Sequence, residues 1–447
     1  RVVGSLLIEF KKDIANKFVK SLPFSLTNAQ RKAVWQIYQD LAGSTPMNRL
    51  LEGDVGSGKT VVACMVTLMV IESGYQVAIM APTEILARQH AETFRKLLKP
   101  LGYGDGVVLL IGSMNVKQKH LAYKSIEDGR AKVVIGTSTL IQEKVTMKNL
   151  ALVIIDEQHR FGVDQRKKLQ RKAGRMPHVL SMTATPIPRS LALVLYGDLD
   201  ITIVNDKPEN RKPVKTCIVL KRDEQKIHDV IKQEVNNGRQ AYIVSPIIEE
   251  GESATSSSAK QTFNKVQQLF SGVSIGLLHG KLSKEEKERT MQKFQKNEIA
   301  ILVTTTVIEV GVDIPNATVI VIQDPERFGL AQIHQLRGRV GRADHDSYCF
   351  LSLSNNNKPS QRLHALESKH SGFELAELDL ELRGPGEIYG ITQHGHLDLR
   401  MAKLSDTKMI SAAKKAAEEF IARKEKLIQY KELHNRVNYL RKITNLN

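Results

Sequence analysis

The chain has 447 residues, 41% of them apolar and 25% charged, with a net charge of +17; that length is too great for one ordinary core and suits two or three. So basic a balance favours a polyanionic partner through counterion release from phosphates, although surplus lysine that only keeps a protein soluble gives the same number. No apolar run approaches the ~20 residues that cross a bilayer, which excludes a spanning helix, and Cys64, Cys217 and Cys349 are odd in number, far apart and outside any C-x-x-C, which speaks against a disulfide framework or zinc site and for a reducing compartment.

In chain order, residues 5–20 read as one amphipathic helix with Leu7, Phe10, Ile14 and Phe18 on a stripe. From 23 to 352, short β-rich runs alternate with longer helical patterns. The first series is 76–81, 132–135, 150–155 and 179–182; the second is 214–220, 240–244, 273–278, 300–304, 318–322 and 348–351. Near-continuous apolar strands separated by helices predict parallel sheets covered on both faces, and two series predict two α/β lobes. The boundary is expected at 205–213, rich in Pro, Asn and charge. Residues 249–260 carry no apolar side chain larger than Ala, so a flexible insertion is expected there. Residues 354–360 break the pattern again, and beyond 397 it turns helical and basic, with Ile410, Ala413, Ala417 and Phe420 on one stripe. Each cysteine falls in an apolar stretch and is expected in a core.

Gly53-Asp54-Val55-Gly56-Ser57-Gly58-Lys59-Thr60 matches G-x-x-x-x-G-K-[ST] between an apolar run (Leu50, Leu51) and a helix expected to begin near Lys59. Glycines let backbone N–H groups approach phosphate oxygens, and the helix N-terminus adds positive potential. Gly53, Asp54, Gly56, Ser57 and Gly58 are thus expected to cradle phosphates, Lys59 to meet the β- and γ-phosphates, and Thr60 to place its hydroxyl on Mg²⁺. The strand 150–155 ends in Asp156-Glu157-Gln158-His159. Carboxylates at that end face the ligand crevice of such a sheet, so Asp156 is the expected Mg²⁺ ligand and Glu157 the base for the attacking water. Gln158 and His159 are not needed for metal; a coupling role or plain local hydrogen bonding remains open for them. In the run from Gln332 to Arg342, Arg339 and Arg342 are interleaved with glycines and spaced for one helical face; arginines of this kind neutralise charge developing on a transferred phosphoryl group from across an interface.

In this order, the motifs resemble those of the superfamily-two helicases. The resemblance implies ATP as the nucleotide with Mg²⁺, Gln30 in Leu26-Thr27-Asn28-Ala29-Gln30 as the adenine reader, and DNA-backbone contacts at Thr83 and Arg88 (81–89) and at Thr137 (136–138). It implies a link between hydrolysis and movement at Thr183 and Thr185 (181–186), and a lobe-two motif at 304–313 in which Thr305 meets DNA and Gly311 and Asp313 meet nucleotide. Within that superfamily the wording most resembles the RecG family: the phosphate loop itself, Asp-Glu-Gln-His-Arg-Phe-Gly-Val at 156–163, Thr-Pro-Ile-Pro-Arg at 185–189 and Glu-Leu-Arg-Gly-Pro-Gly-Glu at 381–387. The runner-up, the motor of a transcription-repair coupling factor, usually shows Tyr where Ser57 stands.

The RecG likeness implies two tandem RecA-like P-loop lobes of parallel sheet, 23–206 and 207–353, then a mostly helical segment, 354–447, with a translocation hairpin and loop. It implies coupling roles for Arg383 and Gln393; the family's usual loop arginine is replaced by Thr392, which shifts weight to those two. Residues 1–22 resemble the helix that joins the family's wedge domain to its motor. The implied activity is ATP-driven translocation on double-stranded DNA that remodels forks and Holliday junctions in recombination and repair. The implied setting is the bacterial cytoplasm and nucleoid, acting as a monomer, with single-stranded DNA-binding protein as a further partner and no membrane. An ATP-switched binder, an RNA helicase and a P-loop ATPase unrelated to nucleic acid are the competing readings.

Overall fold

The computed structural model describes residues 6–158, 161, 163–170, 172, 176–185, 199–206, 212–246, 254–305, 314–342, 344–354, 356, 358–383, 407–423 and 425–444. Its first sheet is β1 (Asn48–Gly53), β2 (Gln76–Met80), β3 (Val107–Leu110), β4 (Val133–Gly136), β5 (Leu150–Asp156), β6 (His178–Thr183) and β7 (Asp200–Val204). The order across it is β3-β4-β2-β5-β6-β1-β7, and every pairing is parallel. The second sheet is β8 (Lys215–Val219), β9 (Gln240–Val244), β10 (Ile275–Leu278), β11 (Ile301–Thr304), β12 (Ala317–Gln323) and β13 (Tyr348–Ser352), ordered β10-β11-β9-β12-β13-β8 and again parallel.

Both faces of each sheet are covered, as continuous apolar strands require. In β2, Val77 and Ile79 join a cluster with Leu152, Ile154 and Leu180, while Ala78 and Met80 join the opposite one with Val153 and Ile155. In β9, Tyr242 and Val244 face one cluster and Ala241 and Ile243 the other. The helix Lys59–Glu72 is buried continuously from Val61 to Ile71, so it is apolar all round and sits inside the first lobe. The two-lobe α/β architecture expected from the strand series is the one found. The helices Gln361–Ser368 and Gly372–Arg383 pack onto the second lobe through Leu363, Leu366 and Leu375. Further on, the helices Thr407–Ala422 and Lys431–Thr444 follow.

Several local expectations need correction. The amino-terminal helix is Lys12–Ser21, not 5–20. The residues before it are extended because they are tied to lobe one: the Ile8 amide donates to the Leu41 carbonyl, and the His178 ring bonds the Leu6 carbonyl. Ile8 and Phe18 are then fully buried in that lobe, and Phe10 packs on Trp35 and Tyr38. Within the expected insertion, residues 254–260 begin the helix Ala254–Leu269, which Ala259 and Val266 anchor to the core. Cys217 is exposed on the edge strand β8, whereas Cys64 and Cys349 are buried.

Candidate active site

Parallel strands bring their carboxyl ends to one edge, where α/β sheets bind ligands. In lobe one, β6 lies between β5 and β1, and the register sets Glu52 opposite Thr183 and Asp156 opposite Met182. The phosphate loop after β1, Thr183 ending β6 and the acids ending β5 therefore stand side by side.

 

In sequence, Asp156 and Thr183 lie 103 and 130 positions beyond Gly53. The fold, not proximity along the chain, assembles the cluster.

The loop's conformation explains its composition. Gly56 and Gly58 have φ of 78° and 84°, a region that side chains other than glycine's rarely enter. A Cβ at Gly58 would stand 2.2 Å from Gln30 Nε2, and one at Gly53 would stand 2.7 Å from the Val204 carbonyl. Gln30 itself is buried and fixed at both ends: its Oε1 accepts from the Thr27 amide at 2.9 Å, closing a capping box, and its Nε2 donates to the Ser57 carbonyl at 2.8 Å. Lys59 Nζ donates to the carbonyls of Gly53 at 2.7 Å and Asp54 at 3.0 Å. Burial pushes Lys59 below the ordinary lysine value despite the pull of Glu157, Asp156 and Asp54. The buried Ser57 hydroxyl has no hydrogen-bond partner among the described residues.

Asp156 and Glu157 sit in different environments. Burial pushes Asp156 upward, but the hydrogen bond and charge of His90, with the charge of Lys59, outweigh it and hold the carboxyl below the usual range. The His90 Nε2 to Asp156 Oδ2 distance is 2.7 Å, and Asp156 Oδ1 accepts from the Glu157 amide at 3.1 Å. Glu157 has φ of 51°, a left-handed turn that sends its side chain back over the site. Burial, then the charge of Asp156, raises its carboxyl above the usual range, against Lys59, the Ala184 amide and Arg339. A raised carboxyl beside a depressed one is the pattern that separates a base from a metal ligand.

Lobe two closes over this edge. The helix Leu330–Arg337 stops before Gly338, and Gly341 turns with φ of 73°. Arg339 and Arg342 therefore lie on a turn and not on the helical face expected from their spacing, because the glycines end the helix first. The turn still brings both to lobe one: buried Arg339 acts on Glu157, and Arg342 acts on Lys59. A Cβ on Gly338 would lie 2.9 Å from Val55 Cβ, so only glycine permits this approach. Gln335 Nε2 donates to Thr185 Oγ1 at 2.8 Å, and Thr183 Oγ1 accepts from the Thr185 amide at 3.1 Å. The Asp54 carboxylate faces lobe two, where His334 Nε2 lies 3.1 Å from Oδ1.

The other expected residues are spread more widely. Thr83 caps the helix Glu84–Leu98 by accepting from the Leu86 amide at 3.3 Å, and Arg88 donates to the Ser113 hydroxyl at 3.1 Å. Thr137 is buried at the end of β4; Gln158 and Thr305 are buried, and Gln158 Oε1 and Thr305 Oγ1 have no hydrogen-bond partner among the described residues. Thr60 lies in the first turn of the helix Lys59–Glu72. His159, Gly311, Asp313 and Gln393 lie outside the described residues, and Arg383 ends the helix Gly372–Arg383 with its side chain outside them. His90, His334 and Arg337 were missed. Their only signal was position: His90 follows the Arg88-Gln89 pair of a DNA-contact segment, and the other two sit inside the arginine-rich run.

The chain matches the model of the DEAD/DEAH box helicase over residues 27–194, the helicase conserved C-terminal domain over 224–344, and the ATP-dependent DNA helicase RecG, domain 3, C-terminal, over 369–447. It is 48% identical over 414 residues to the ATP-dependent DNA helicase RecG of Aquifex aeolicus, covering 91% of this chain and 52% of that protein. The chain belongs to the RecG family. The RecG of Thermotoga maritima is 47% identical over 423 residues, covering 93% of this chain and 53% of that one. A solved structure of RecG bound to a three-way DNA junction superposes with a TM-score of 0.77 at 44% identity, covering 91% of this chain and 53% of that one. The chain spans about half the length of these RecG relatives. The match to a RecG-specific third domain disfavours the coupling-factor alternative.

Proposed function

We propose that the chain is the ATP-driven motor of a RecG-type translocase that acts on double-stranded and branched DNA, including forks and Holliday junctions. The observation that carries this reading is the closure of lobe two onto lobe one, where Gln335 donates to Thr185 at 2.8 Å, His334 lies 3.1 Å from Asp54 and Gly338 lies against Val55, on the same stretch that carries Arg339 and Arg342. A site completed by arginines from a second lobe makes hydrolysis depend on lobe closure, which a motor requires. The net charge of +17 and the RecG relatives support DNA as the track. The proposed division is 23–206 and 207–353 for the lobes and 354–447 for the translocation segment.

The residues fit a bound nucleotide triphosphate with its Mg²⁺. The glycine cradle cannot take a Cβ, and the buried Ser57 hydroxyl lacks a partner within the described residues. Among those residues no group of three or more His, Cys, Asp or Glu could hold a metal; a Mg²⁺ held by Thr60 and Asp156 would take its remaining ligands from phosphates and water, as this ion commonly does. Mg²⁺ supplies neutralisation of phosphate charge. In the proposed cycle, Lys59 turns from the Gly53 and Asp54 carbonyls to the phosphates. Glu157, its carboxyl raised by burial, accepts a proton from the attacking water. Arg339 and Arg342 stabilise charge on the transferred group, and the Gln335–Thr185 bond reports that the lobes have closed.

Displacement of a third strand from a duplex tests the proposal. The chain is expected to strip a triplex-forming strand with ATP, and Lys59→Ala is expected to abolish stripping while DNA is still bound. ATP-independent stripping, or stripping that survives Lys59→Ala, would refute the motor reading.

A further inference from the structure

The phosphate loop contains an acid that its phosphate-binding role does not use. Asp54 is buried, and its carboxylate points to lobe two: Oδ1 lies 3.1 Å from His334 Nε2, and Oδ2 accepts from the Gly372 amide at 3.3 Å. The proton positions follow from chemistry. Arg337 NH2 lies 2.8 Å from His334 Nδ1, and a guanidinium only donates. Nδ1 is therefore the acceptor, and Nε2 carries the proton given to Asp54. The same Arg337 donates to the carbonyls of Leu366 at 2.7 Å and Lys369 at 3.1 Å. One chain of bonds thus runs from the phosphate loop through His334 and Arg337 to the end of the helix Gln361–Ser368, and a second runs straight to the first residue of the helix Gly372–Arg383.

We propose that Asp54 is a positioning residue that carries the state of the phosphate loop directly to the helix Gly372–Arg383, at whose far end the Glu-Leu-Arg-Gly-Pro-Gly-Glu motif of residues 381–387 begins. The proposal rests on the nucleotide-site reading above. The lever lies within one residue. The Asp54 carbonyl accepts from Lys59 Nζ at 3.0 Å, so movement of Lys59 toward phosphate removes a bond from the backbone that holds the carboxylate. A cavity of about 160 Å³ bordered by Asp54, His334, Arg337 and His370 leaves space for these side chains to rearrange. Both oxygens of Asp54 face donors, so an isosteric amide can satisfy at most one of them and must turn its own N–H groups toward the other. An acid serving only to bind nucleotide would have no reason to be buried against the amide of a helix in the following segment.

Amide hydrogen exchange on residues 366–383, with and without AMP-PNP and Mg²⁺, tests the proposal. In the parent, the nucleotide is expected to change exchange in this segment roughly tenfold, the scale of one charge-assisted hydrogen bond. Asp54→Asn is expected to lose the response at AMP-PNP concentrations that saturate its site. Gly372→Pro removes the same bond from the other side at a first helical position, where proline is tolerated, and is expected to lose it as well. Melting curves confirm that each variant is folded. A response that persists in both variants overturns the proposal, as does loss of AMP-PNP binding in Asp54→Asn with an intact response in Gly372→Pro. A parent that fails to bind AMP-PNP overturns the nucleotide-site reading itself, and with it this one.

Discussion

Gly58→Ala places a methyl group where the phosphate loop has least room. The backbone there has φ of 84°, and holding an alanine left-handed costs about 1–2 kcal/mol. The new Cβ would stand 2.2 Å from Gln30 Nε2, so Gln30 must leave the Ser57 carbonyl, which it meets at 2.8 Å. Breaking a buried hydrogen bond and stranding its partners costs about 1–3 kcal/mol. Together these oppose the cradling conformation by roughly 2–5 kcal/mol, which at about 1.4 kcal/mol per decade weakens nucleotide binding by between tens and thousands of fold. The assay is titration with a fluorescent ATP analogue, with circular dichroism to confirm folding. Gln30→Ala removes the obstruction, so the double variant should bind better than the sum of the single losses predicts. Binding by Gly58→Ala within about threefold of the parent, or strict additivity in the double variant, would refute the steric argument.

Glu157→Gln is expected to bind ATP and turn over about 10²-fold or more slowly, since the water loses its base; steady-state turnover with a binding titration checks it. Arg339→Ala and Arg342→Ala are expected to lower kcat by about 10³-fold or more with a much smaller change in KM; equal changes in both would make them ground-state binders. A pH effect is expected at His178, whose Nδ1 accepts from the Met47 amide at 3.0 Å and whose Nε2 bonds the Leu6 carbonyl at 2.6 Å. Burial holds this ring below its ordinary value of 6.5. The unfolded chain therefore takes up the proton first as pH falls, so the stabilisation is complete above 6.5 and declines below it. From about pH 7.5 to about pH 5.5 the melting temperature of the parent should fall more than that of His178→Gln; equal falls would remove His178 from the explanation.

The parts of the site legible in the sequence were those set by local chemistry. The Gly-Lys-Thr loop declares its own conformation, because only glycine takes the φ values seen at Gly56 and Gly58. The acids Asp156 and Glu157 end a strand whose apolar run, β5, was plain. The strands β3 and β7 were not foreseen. Side-chain direction was the main failure. Nothing in the spelling of Asp54 reveals that its carboxylate leaves the loop for His334 and Gly372, because that depends on how the lobes dock. The helical spacing of Arg339 and Arg342 misled, since Gly338 and Gly341 end the helix between lobes. At the amino terminus, periodicity suggested a longer helix, yet tertiary bonds at Leu6 and Ile8 hold that stretch extended.

The most direct test of the central claim is the ATP turnover rate with single-stranded DNA, duplex DNA, a four-way DNA junction and duplex RNA as the added polymer. A DNA-driven motor for branched duplexes predicts strong stimulation by duplex and junction DNA, with far less from single strands and RNA, and loss of all stimulation in Glu157→Gln. Turnover that is equal with and without DNA, or that responds best to RNA, would contradict the account.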